Sequence, residues 1–160
     1  MGVWEIGLDT SLPYRQLKLP ADVHVWHLEP SPSGAWIAGV GWIRQPWSGS
    51  TIVFARDGSQ VRELAALGSP GLLWSRDERT IYGVAEENGA SVLRALDIAT
   101  GRVSTVAKYG ARLELVEPIT DTLQFMPTPD GRAFVTTSFK RRYDIWMLKD
   151  LQMPQTRWWE

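Results

Sequence analysis

The chain has 160 residues, 44% hydrophobic and 22% charged, with a formal net charge of −1; it has the size of one ordinary domain and no electrostatic footprint for nucleic acid or anionic lipid. No stretch approaches the roughly 18 apolar residues of a membrane span, and residues 1–20 lack the basic start and apolar run of a signal peptide. The absence of cysteine excludes disulfides, thiolate catalysis and cysteine-held zinc, and leaves periplasm and cytoplasm both open.

In chain order, Val3 to Asp9 and Tyr14 to Leu19 read as two short strands, so residues 1–19 are expected to form half of a four-stranded unit. A whole unit follows over 23–65, with strands at 23–28, 35–42, 51–55 and 60–64 and an Asp57-Gly58 turn between the last two. The unit over 70–107 reads most clearly. Pro70 to Trp74 suits a short inner strand, and Thr80 to Ala85 is rich in β-branched and aromatic residues. Asn88-Gly89 supplies the positive φ angles of a tight hairpin, Ser91 to Asp97 returns, and Thr100-Gly101 turns the chain into Arg102 to Ala107. The last unit, 121–160, offers strands at 122–126, 132–138 and 143–148; a fourth falls in Pro154 to Glu160. Tyr109 to Thr120 is expected to be an insertion.

One phrase opens the second strand of each unit: Ser31-Pro32-Ser33-Gly34-Ala35, Ser75-Arg76-Asp77-Glu78-Arg79 and Thr128-Pro129-Asp130-Gly131-Arg132, spaced 44 and 53 residues apart. The first interval matches the roughly 40–45 residues of a propeller blade. The fold expected is therefore all-β, a partial (open) β-propeller of about three to four four-stranded blades, with many of the nine Trp filling the wedges between sheets. An open arc leaves apolar faces uncovered, so the missing partner is either the remainder of a longer chain or another copy.

Thr128-Pro129-Asp130-Gly131, followed by an apolar strand and Asp144-Ile145-Trp146-Met147-Leu148, resembles the repeats of TolB-like, WD-repeat-like bacterial propellers over residues 3–148. The first turn departs from that pattern with Ser33 in place of Asp, and the second with neither Pro nor Gly. The resemblance implies a binding platform. The function expected is a non-catalytic interaction or sensor module, the C-terminal part of a larger bacterial protein, that takes a protein or small ligand through rim loops. The alternative is a substrate-gating propeller cut from a prolyl-oligopeptidase-like or other propeller enzyme.

No residue set points to catalysis, and no cofactor is expected. His24 and His27, the only histidines, would project to opposite faces of a regular strand and cannot chelate together. Gly68-Ser69-Pro70-Gly71 has the wrong spacing for a nucleophile elbow. Gly39-Val40-Gly41 is a fragment of a phosphate loop inside an apolar strand, where glycine is expected to permit close packing of neighbouring sheets. Contacts to a ligand or partner are expected instead from Trp42, Arg44 and Trp47, a stacking surface with polar neighbours, and from Arg141 and Arg142 in the basic loop after Lys140.

Overall fold

A computed structural model of the chain describes residues 2–7, 14–44, 48–68, 71–109, 125–128 and 133–136. Among these, the Asn-Gly dipeptide does what its chemistry dictates. Asn88 and Gly89 take φ angles of 52° and 76°, and Glu87 faces Ala90 across the resulting two-residue hairpin. The phrase that opens each unit is likewise explained by a hydroxyl on a short side chain. The Ser31, Ser75 and Thr128 amides donate to the carbonyls of Trp36, Thr80 and Ala133 at 2.9, 2.8 and 2.8 Å. The amides of those three partners donate back to the same Ser or Thr hydroxyls at 3.2, 3.0 and 3.1 Å. Gly34 occupies the left-handed position of its turn at φ 71°, and Glu78 takes the equivalent place at φ 59° although it carries a Cβ.

These turns join strands β1 (Val3–Glu5), β2 (Arg15–Leu17), β3 (Val23–Pro30), β4 (Trp36–Ile43), β5 (Ser50–Ala55) and β6 (Arg62–Leu64). The series continues through β7 (Leu73–Trp74), β8 (Thr80–Glu87), β9 (Ala90–Asp97), β10 (Val103–Tyr109), β11 (Phe125–Pro127) and β12 (Phe134–Thr136). All pairing is antiparallel, and no helix is present among the described residues. β3 to β6 and β7 to β10 form two four-stranded meanders, while β1–β2 and β11–β12 are two-stranded ribbons. The fold is all-β, and no sheet closes on itself among the described residues. The strands expected at 143–148 and 154–160, and the insertion expected up to Thr120, lie outside the described residues beyond Tyr109.

Side-chain alternation along the strands lets each four-stranded meander present apolar side chains on both of its faces. One face of the first meander contributes Ala38, Val40 and Val53 to a core shared with Leu72, Trp74, Ile81 and Leu96 of the second. Trp74 fixes this contact directionally, its indole N–H donating to the Glu29 carbonyl at 2.9 Å. The opposite face of the first meander packs Val25, Ile52 and Phe54 against Leu17 and Val3 of the ribbon. Leu93, Leu73, Tyr82 and Val84 gather on the far face of the second meander. The sheets therefore stack face to face in chain order: ribbon, first meander, second meander.

Two irregularities correct the sequence reading. A β-bulge between Trp26 and Glu29, with His27 at φ 50°, breaks the strict alternation of β3, so the regular-strand parity assumed for His24 and His27 does not apply. Gly39 and Gly41 admit the adjacent strand of their own sheet, not a neighbouring sheet. A Cβ at Gly41 would stand 2.0 Å from the His24 carbonyl oxygen, and one at Gly39 would stand 2.4 Å from Val25 Cγ2. A second bulge, between Thr105 and Ala107, leaves Val106 exposed on β10.

Candidate functional site

The first ribbon covers only part of the meander beneath it. Beside β1 lies a groove of about 310 Å³, lined by Val3, Trp4, Glu5 and Leu17 on the ribbon side and by Leu28, Pro30, Ile37 and Arg56 on the meander side. Its walls are mostly apolar, and Leu28 on its margin is exposed. The outer face of the same ribbon is apolar too. Trp4, Ile6 and Tyr14 are 51%, 74% and 70% exposed, and the rings of Trp4 and Tyr14 lie 5.6 Å apart in a tilted arrangement. Four of the five large exposed hydrophobic residues named among the described residues thus belong to the ribbon or the groove. Apolar side chains gathered in this way are a feature shared by surfaces that another element covers.

One end of the groove is ionic. Glu5 accepts a hydrogen bond from Arg56 in the turn after β5, and two from Arg15 opposite it on β2, at 3.0 and 2.8 Å. Arg56 first and Arg15 second hold the Glu5 carboxyl down at about 2, well below the usual carboxylate range. The three charges clamp the ribbon to the meander and leave one net positive charge at the groove mouth. Gly58, in the same turn at φ 87°, brings the backbone against the end of β2, where an added Cβ would stand 2.8 Å from the Lys18 carbonyl oxygen. On β3 beyond the groove, burial pushes the Glu29 carboxyl up.

Of the residues the sequence pointed to, Trp42 and Arg44 lie at the opposite rim, and Trp47, Arg141 and Arg142 lie outside the described residues. Trp42 is half-buried, stacked on His24 with ring centroids 5.2 Å apart and meeting Trp26 edge-on at 5.0 Å. Its ring is largely engaged within the sheet. Arg44 is exposed at φ 65° and donates to Asp22 at 3.0 Å, closing the strand end. No group of three or more His, Asp or Glu able to hold a metal occurs among the described residues. The sequence reading missed Glu5, Leu28 and Arg56. The one signal for them was the two-strand unit at 1–19, which implies a partly uncovered neighbour.

No family model matches the sequence, and no curated protein matches it. Among solved structures, the chain is similar to one determined under the name "putative 6-phosphogluconolactonase" from Bacteroides uniformis, at 18% identity and a TM-score of 0.48. The match covers 83% of this chain and 39% of that one, so the present chain spans well under half of that protein's length. The expectation of a non-catalytic interaction or sensor module, with substrate gating as its alternative, is corrected here and set aside, since the neighbour bears the name of an enzyme.

Proposed function

We propose that this chain is a segment of a β-propeller whose first sheet is completed by strand addition: two further strands pair along the open edge of β1, enter the groove and cover Leu28, Pro30 and Ile37. The observation that carries this reading is the position of the groove. It runs beside an edge of a two-stranded ribbon that no strand among the described residues pairs with, above the end of β3 and the start of β4. In the next interface along the stack, the equivalent inner strand of the first meander is met by β7, with Trp74 bonded to Glu29. An exposed strand edge presents unpaired N–H and C=O groups, and an added strand gains affinity from these while side-chain pockets give specificity. The resemblance of the turn phrases to TolB-like repeats supports the same architecture.

The test uses a labelled synthetic peptide of residues 122–138, which spans β11 and β12, titrated into the chain by fluorescence anisotropy. Saturable binding is expected, weakened at least about tenfold by Leu28→Asp, which places a charge where an apolar strand would seat. Absence of binding, or equal binding to the Leu28→Asp variant, overturns the proposal.

A further inference from the structure

We infer that Ser33 and Glu78 form a matched key between neighbouring sheets: Glu78, in the turn before β8, supplies the carboxylate that the turn before β4 lacks, and so specifies which sheet follows which. The two turns match bond for bond. Gly34 donates its amide to the Ser31 carbonyl at 2.8 Å, and Glu78 donates to the Ser75 carbonyl at 3.0 Å. Position by position, Ser33 therefore corresponds to Asp77, and Gly34 to Glu78.

Within the second turn the carboxylate is local. Asp77 accepts the Ser75 hydroxyl at 2.7 Å and the Arg79 amide at 3.2 Å. In the first turn the Ser33 hydroxyl takes over the second of these bonds, from the Ala35 amide at 3.1 Å, but it brings no charge. The charge comes from the neighbouring sheet. The Ser33 amide donates to Glu78 Oε1 at 2.5 Å, between residues 45 apart in the chain. That amide first, then the Ser33 hydroxyl, and after them the Ser31 hydroxyl hold the Glu78 carboxyl below the usual carboxylate range.

This pairing accounts for two departures from the turn phrase at once. The third phrase carries Asp130 at the Ser33 position and Gly131 at the Glu78 position. Glu78 holds φ 59°, a left-handed conformation that glycine takes freely and that a residue with a Cβ resists. Its reach to Ser33 is what offsets that strain. Conversely, Asp at position 33 would set a second carboxylate against Glu78. Each departure is unfavourable alone and favourable beside the other. Glu78 thereby rejects a neighbouring turn that keeps its Asp, and built-in rejection of this kind is how similar surfaces are told apart.

A double-mutant cycle on the full chain, read by urea unfolding, tests the key with Glu78→Gly, Ser33→Asp and the two combined. The product of the folding constants of the native chain and the double variant is expected to exceed that of the two single variants by at least about threefold. A smaller ratio overturns the proposal. Should a variant fold poorly, the unaltered chain labelled with nitrogen-15 is followed by NMR through an acid titration. The Ser33 amide resonance is expected to shift as Glu78 protonates, with a midpoint below 4.5. An amide unmoved through the carboxylate range overturns the key as well. Both measurements bear on the two meanders alone and are independent of what completes the first ribbon.

Discussion

Replacing Gly41 by alanine is a small change with a definite expected sign. The added Cβ would lie 2.0 Å from the His24 carbonyl oxygen and 3.0 Å from both His24 C and Val25 Cα, all backbone atoms that no rotamer change can move away. To reach even 3.0 Å, the oxygen contact must open by about 1 Å, and it lies beside the Val25 and Gly41 pair that holds β3 to β4. Crowding of this kind costs about 1–3 kcal/mol. Reduced freedom of the unfolded chain gives back about 0.4–1 kcal/mol. A net loss of about 1–2 kcal/mol is expected, lowering Tm by roughly 2–8 °C for a domain of this size. Urea unfolding followed by circular dichroism, with m held in common, measures it. An unchanged or raised midpoint in Gly41→Ala would refute the argument that close strand approach selects this glycine.

Trp74→Phe removes the indole donor that bonds the Glu29 carbonyl and shrinks a buried side chain, so a loss of about 1–3 kcal/mol is expected in the same assay; a loss below about 0.5 kcal/mol would show that the bond does not hold the two meanders together. Glu5 supplies a pH dependence whose sign follows from its depressed folded-state value of about 2 against an ordinary 4.5. Its stabilising contribution is complete above about 4.5 and disappears as pH falls through about 2, so the stability gap between the native chain and Glu5→Gln should narrow over that window. A gap independent of pH between those limits would contradict the assigned partners, Arg56 and Arg15.

Strands and turns were legible because their causes are local. Asn88-Gly89 and the Ser or Thr that opens each unit act over a few residues, and the structure shows the bonds they make. Gly39 and Gly41 announced a close approach but not its direction, since strand twist and the bulge after Trp26 decide what comes near. Trp42 looked available for stacking because sequence alone does not show which ring faces His24 and Trp26 already occupy. The groove was hidden for a deeper reason. Glu5 and Arg56 are 51 residues apart, and they meet only because one sheet lies on the next. No spacing rule joins them, and the volume beside them is bounded by side chains from two different sheets.

The bulge at Val106 bears on what this molecule avoids. β10 is the outermost strand of its meander among the described residues, with a backbone able to template the lateral growth of fibrils. A neighbour laid along it could stay in phase only from Val103 to Thr105 before the extra residue throws the ladder out of step. Indefinite stacking is thereby discouraged on the outer rim.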